Sequence, residues 1–184
     1  MRVRLVPLAD AEPRFTEAAR AAIVGEYGAD VDPLKSRLDL AAAHHAERNQ
    51  YHSTVILEQL ARLDAGDALL LAIAPFDLYI PILTFVFGEA QLGGRCAVVS
   101  YYRMAQERYG LPPDDRLAAA RFAKSAVHEV GHLLGLTHCD VYECAMAASH
   151  SVEWLDMKRA ALCDDCRLRR NATAPLQSAT AFHR

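Results

Sequence analysis

The residues with the densest chemical content run from His128 to His138: His128-Glu129-Val130-Gly131-His132-Leu133-Leu134-Gly135-Leu136-Thr137-His138. They read H-E-x-x-H-x-x-G-x-x-H, and each spacing has a mechanical reason. Residues four apart share one face of an α-helix, so His128 and His132 can bind one metal ion together. Glu129 is offset by one position and points beside that ion, where it can take a proton from an activated water. Gly135 can adopt the left-handed conformation that ends a helix. The chain can then turn back and deliver His138 as a third ligand. Three protein ligands leave one position for water or substrate, the arrangement of a catalytic site and not of a structural one.

A second group of metal-binding side chains follows at once. Cys139 is next to His138, and Cys144, Met146, Cys163 and Cys166 come after it. Cys163 and Cys166 have C-x2-C spacing, with which two thiolates can chelate one ion from a tight turn. Cys139 and Cys144 can supply the other pair. Four thiolates with no open position make a closed, structural site. Two disulfides are the alternative. The N-terminus Met1-Arg2-Val3-Arg4-Leu5 has no long apolar segment of a secretory signal, so a cytoplasmic chain is expected. Thiols stay reduced there, which favours zinc over disulfides. Cys96 is left over in an apolar, strand-like run and reads as a small core residue.

The complete pattern, HExxHxxGxxHC-x4-C-x-M followed by C-x2-C, resembles the archaemetzincin family of zinc peptidases. The likeness is close from Lys124 to Cys166. It extends upstream to Gln50-Tyr51-His52-Ser53, to Phe85-Val86-Phe87-Gly88-Glu89-Ala90 and to Gly93-Gly94-Arg95. The resemblance implies two zinc ions per chain. By it, His128, His132 and His138 hold the catalytic ion and Glu129 is the general base. Met146 is the Met-turn methionine beneath the metal, and Cys139, Cys144, Cys163 and Cys166 bind the structural ion. The expected activity is hydrolysis of peptide bonds in a peptide or protein substrate. Related metzincins bind peptides along an edge strand above the active-site helix. By that analogy the candidate is Arg95-Cys96-Ala97-Val98-Val99-Ser100, with an interior strand as the alternative. Tyr142 and His150 are nearby candidates for a second oxyanion donor.

Other functional classes fit less well. Zinc-dependent endoribonucleases of ribosomal RNA maturation share the three-histidine spacing. They carry Gly where this chain has Glu129, and they lack the four cysteines. A chain whose cleft is occluded would act as a zinc-bound peptide-binding module. Net charge is −3, which gives no general footing for a nucleic-acid partner. Lys158, Arg159, Arg167, Arg169 and Arg170 form a modest basic cluster that reads as solvated surface. No apolar run reaches the length of a membrane span.

The elements that must position these groups read as an α/β fold, a mixed twisted sheet packed on helices. Strands are expected at Arg2 to Val6, Val31 to Leu40, Leu69 to Ala74, Thr84 to Phe87 and Arg95 to Tyr101. Helices are expected from Pro13 to Gly28, from Tyr51 to Gly66, from Asp114 to Gly135 and over Glu153 to Arg159. Ala41 to Arg48, with His44 and His45, and Asp77 to Pro81 read as loops. The expected domain is residues 1–170. Its N-terminal lobe, 1–138, holds the sheet and active-site helix, and a small C-terminal lobe, 139–170, holds the Met-turn and four cysteines. Residues 171–184 read as a flexible tail.

Overall fold

A computed structural model describes residues 1–173. The chain opens with β1 (Arg2–Pro7), α1 (Pro13–Tyr27) and β2 (Asp30–Pro33). A short α2 (Leu40–Ala43), β3 (His44–His45), β4 (Gln50–His52) and α3 (Ser53–Ala61) follow. Next come β5 (Leu69–Ala74), β6 (Leu78–Tyr79), β7 (Gly88–Ala90) and β8 (Cys96–Ser100). The long α4 (Asp115–Leu133), then α5 (Val152–Met157) and α6 (Asp164–Thr173), complete the described residues.

The main sheet has the order β2-β1-β5-β8-β7. Its first four strands are mutually parallel, and β7 pairs antiparallel with β8. Both faces are covered, as a parallel sheet requires. Alternation along the strands sorts the side chains. Leu71, Ile73, Ala97 and Val99 meet α1 and α4 on one face. Leu70, Ala72, Cys96 and Val98 meet Ile56, Leu57 and Leu60 of α3 on the other. Cys96 is thus a core residue. On the first face Phe15, Tyr101 and Phe122 form a ring cluster. Phe15 stacks on Tyr101 at 3.8 Å, and Phe122 meets Phe15 edge-on at 5.3 Å. This cluster fixes α4 against α1 and the sheet.

A small second sheet, β3-β4-β6, carries the wall of the cleft. Tyr51 and His52 belong to its strand β4, and the expected helix begins only at Ser53. Residues expected to be loop, His44–His45 and Leu78–Tyr79, are its other two strands. Thr84 to Val86 does not join the main ladder, which Phe87 reaches only by accepting from Ser100 N–H at 2.8 Å. The backbone groups there have other partners: Arg48 donates to the carbonyls of Leu83 and Thr84, and Val86 N–H donates to Leu78 O. Gln50 Nε2 bridges Thr84 O and Asp77, and Arg103 pairs with Asp77 in a two-pronged contact. These bonds anchor the Leu83–Phe85 segment across from α4.

Asn171 and Ala172 lie in α6, where a flexible tail was expected; residues 174–184 lie outside the described region. Among the described residues no helix is long and apolar enough to cross a membrane. Phe122 is fully buried in the ring cluster. Phe122→Ala is expected to cost about 3–5 kcal/mol of unfolding free energy, measured by urea denaturation.

Candidate active site

Helix α4 positions the chemistry. Asp114 caps it by accepting from Leu117 N–H at 2.9 Å, and Asp115 adds negative charge to the first turn. At the other end Gly135 takes φ +83°, the left-handed region. Gly135 N–H bonds His132 O and Leu136 N–H bonds Gly131 O, the paired bonds of a Schellman turn. That turn reverses the chain and brings His138 back over the helix.

The imidazole geometry tests whether a metal fits. His128 Nδ1 faces Ala145 O at 2.7 Å, and His132 Nδ1 faces Leu136 O at 2.8 Å. A carbonyl only accepts, so both Nδ1 atoms carry the proton and both Nε2 atoms carry lone pairs. Those two Nε2 atoms lie 3.0 Å apart. Two lone pairs at that distance repel unless a cation lies between them. The His138 ring is 5.3 Å from that of His128 and 5.1 Å from that of His132, and one nitrogen of each ring falls within 4.8 Å of the others. Burial pushes His128 well below the usual imidazole range, with Lys158 and His132 adding to the effect. His132 and His138 move the same way, again chiefly through burial. Neutral imidazoles are the form that binds metal, and three of them with an open fourth position suit zinc.

Glu129 is 5 % exposed. Burial pushes its carboxyl up to about 8, against the pull of the Lys158 ammonium and with a smaller push from Glu89. A bound cation would act in the opposite sense. The carboxylate lies under β7. A Cβ on Gly88 would fall 2.6 Å from Glu129 Oε1 and 2.8 Å from Val98 O, so only glycine lets the strand pass this close. Glu89, the next residue, locks β7 to the start of α3 through Thr54 Oγ1 at 2.9 Å and through Ser53.

Met146 is fully buried, packed with Val127 and Leu136 and close against Gly131 of α4. Gly131 makes room for it: a Cβ there would collide with Met146 Sδ and press on the Tyr27 hydroxyl. Tyr27 in turn donates to Val127 O at 2.7 Å. Met146 O accepts from Cys139 N–H at 3.0 Å, which ties the methionine turn to the segment carrying His138.

The four cysteine sulfurs lie within 4.8 Å of one another. Cys139 Sγ and Cys163 Sγ are 3.8 Å apart, and all five cysteines are free. A disulfide needs about 2.05 Å, whereas a tetrahedral site with zinc–sulfur bonds of about 2.3 Å spaces its sulfurs near the observed distance. Backbone N–H groups of Met146 and Cys163 approach Cys144 Sγ at 3.4 and 3.3 Å, and Arg169 reaches Cys166 Sγ at 2.9 Å. Such donors favour thiolates, while burial acts the other way and holds the Cys144 and Cys166 thiols above their usual range.

The open face above the histidines divides at Gly88. On one side a cavity of about 380 Å³ is bounded by Leu83–Gly88, Ser125, Ser149 and Lys158. On the other, about 370 Å³ is bounded by Gly88–Ala90, Leu92, His132 and Thr137. His128, Glu129 and His138 border both.

Several expectations need correction. Arg95 to Ser100 is not the sheet edge, because β8 is hydrogen-bonded on both sides, by β5 and β7. The edge is β7, whose three residues are too few and too mixed to announce a strand. Lys158 is not part of a solvated basic cluster; it is 5 % exposed on the cleft floor. The neighbouring arginines do face solvent, paired with acids: Arg159 with Glu143, Arg167 with Glu26 and Arg169 with Asp165. His150 borders the cleft, whereas Tyr142 is 65 % exposed outside it. His44 and His45, expected in a loop, form β3 and pack on Tyr51 and Tyr79. Ser125 and Ser149 carry no mark in the sequence, whereas Gly88 lies in the upstream stretch Phe85 to Ala90 that resembles the family. Lys158 had one signal: it is one of only three lysines in the chain.

Lone-pair nitrogens held face to face, with a carboxylate buried beside them, define a zinc metallopeptidase centre. The chain belongs to peptidase family M54, whose sequence profile matches residues 37–171. It is 33 % identical to the archaemetzincin of Methanocaldococcus jannaschii over 167 residues, 90 % of each chain. The crystal structure of archaemetzincin from Methanopyrus kandleri superposes with a TM-score of 0.84 at 30 % identity, covering 94 % of each chain. That from Archaeoglobus fulgidus, complexed with malonate, gives 0.79 at 34 % identity, covering 92 % of this chain and 99 % of that one.

Gly131→Ala is expected to destabilise the fold by about 1–3 kcal/mol through overpacking against Met146. Urea denaturation would measure this, and the zinc content after dialysis should fall in parallel.

Proposed function

We propose that the protein hydrolyses peptide bonds with Glu129 as general base. The observation that carries this is the facing His128 and His132 Nε2 pair with the Glu129 carboxylate buried beside it. His128, His132 and His138 would hold a zinc ion, which when bound supplies Lewis acidity toward water and the scissile carbonyl. Glu129 takes the proton from the attacking water and returns it to the leaving amine. Its burial under Gly88 excludes bulk water and holds the carboxylate in one place. The free edge of β7 offers backbone groups to an extended peptide, which would then cross the cleft from one cavity to the other.

A second zinc ion, held by Cys139, Cys144, Cys163 and Cys166, would organise the C-terminal lobe, residues 139–170. The adjacency of His138 and Cys139 supports a coupling between the two sites. The Cys139 N–H to Met146 O bond would transmit it.

Two measurements test this reading. A diverse peptide library is digested with the zinc-loaded protein and with Glu129→Ala at equal zinc content, and products are read by mass spectrometry. Cleavage should fall by about 10²- to 10⁴-fold in the variant; equal cleavage would remove Glu129 as the base. Separately, Cys163→Ser should bind zinc more weakly at the three-histidine site, by roughly 10- to 100-fold in competitive chelator titration. Unchanged affinity there would end the coupling argument.

A further inference from the structure

We propose that the cavity bounded by Leu83–Gly88 selects a substrate side chain that is apolar along its stem and ends in a carboxylate, as glutamate does. This rests on the peptidase reading above and names the substrate class for that cleft. The cavity has about 380 Å³ and adjoins His128, Glu129 and His138. Phe85, Phe87 and Leu155 give it apolar walls. Three polar side chains also line it: Ser125, Ser149 and Lys158.

The state of those three groups points to a ligand. Ser125 is 3 % exposed, and its hydroxyl has no hydrogen-bond partner. The Ser149 hydroxyl is likewise shielded from solvent and unpartnered. Buried hydroxyls are nearly always satisfied, so two orphans in one cavity wall call for an acceptor that the chain does not supply. Lys158 is equally buried. Its ammonium donates to Ala145 O at 3.2 Å and to Ala147 O, which leaves one of its three N–H groups over. Both acceptors are neutral carbonyls. Glu129, the carboxylate on the cavity wall, attracts the ammonium through space but lies under Gly88 and makes no hydrogen bond to it.

The occupant follows from these donors. An aliphatic side chain fills the walls but leaves both hydroxyls and the ammonium unpaired. A lysine or arginine side chain meets Lys158 with like charge. A glutamine offers an acceptor without the charge. A glutamate satisfies walls and floor together, and its contact with the ammonium is charge-assisted. Sites built to hydrogen-bond a substrate group discriminate strongly against analogues that lack it.

The test uses peptides identical except at the residues flanking the scissile bond, which are varied as Glu, Gln, Leu and Lys. Binding is read by fluorescence anisotropy on the zinc-loaded Glu129→Ala chain, and kcat/KM on the zinc-loaded unmodified chain. At one flanking position Glu should exceed Leu by about tenfold or more in both readouts, with Gln between and Lys last. The Ser125→Ala/Ser149→Ala double variant should lower the Glu-to-Leu ratio several-fold. Lys158→Met should lower it further; because Lys158 also holds the Met146 turn, the serine variant keeps the test decisive if that chain misfolds. Leu bound and cut as well as Glu overturns the pocket assignment and leaves the peptidase reading standing. A Glu preference in binding with no cleavage upholds the pocket and overturns the peptidase reading. A ratio unmoved by the serine variant overturns the role of the hydroxyls.

Discussion

Two imidazole nitrogens with their lone pairs 3.0 Å apart are the constraint on which the structure depends. Left to themselves the rings would rotate away from one another. They are held because each donates its Nδ1–H to a backbone carbonyl, His128 to Ala145 and His132 to Leu136. Those carbonyls come from different places. Leu136 O is local, set by the Schellman turn at the end of the same helix. Ala145 O comes from the methionine turn, far along the chain, and must be anchored there.

Much of the C-terminal region supplies that anchor. Ala145 N–H bonds Ala161 O, and Lys158 donates to the carbonyls on either side of Met146. The buried Arg121 clasps Asp156 with two bonds and Met104 O with a third, and Lys124 reaches Leu155 O, so α5 is pinned onto α4. The same region also buries a small apolar cluster, with Ala145, Met146 and Leu162 packed against Val127 and Leu136. Beside that cluster the four cysteine sulfurs come within 4.8 Å of one another. On the opposite side, the ring cluster and the doubly covered sheet hold α4 still, and the glycine at position 88 lets the edge strand pass over Glu129.

The same economy explains the polar cleft wall. Leu83 to Phe85 is neither helix nor strand, yet it is tightly bonded through Arg48, Gln50, Asp77 and Arg103. A wall built from side-chain bonds instead of a ladder can curve, and it encloses a cavity where a straight strand would have left a flat edge. Burying Lys158 and two hydroxyls in one cavity wall has a cost in the free protein, and sites that bear such a cost are commonly those that meet a ligand.

The sequence by itself determined the metal chemistry, because ligand spacing is local. His128, His132, Gly135 and His138 lie within three helical turns and one reversal, and Cys163 and Cys166 within one more. It also determined the strongly periodic elements: α1, α4, β5 and the doubly buried β8. Shorter pieces were illegible, since Gln50–His52, Leu78–Tyr79 and Gly88–Ala90 are strands only through the partners they find. The edge position passed from the Val98–Val99 run to Gly88–Ala90 for that reason: pairing order is a property of the assembled sheet and leaves no mark on a single strand. Only the tertiary structure placed Lys158, Ser125 and Ser149 in one cavity, because they come from two helical regions and a loop, and no spacing along the chain encodes a distance between elements that meet only when packed.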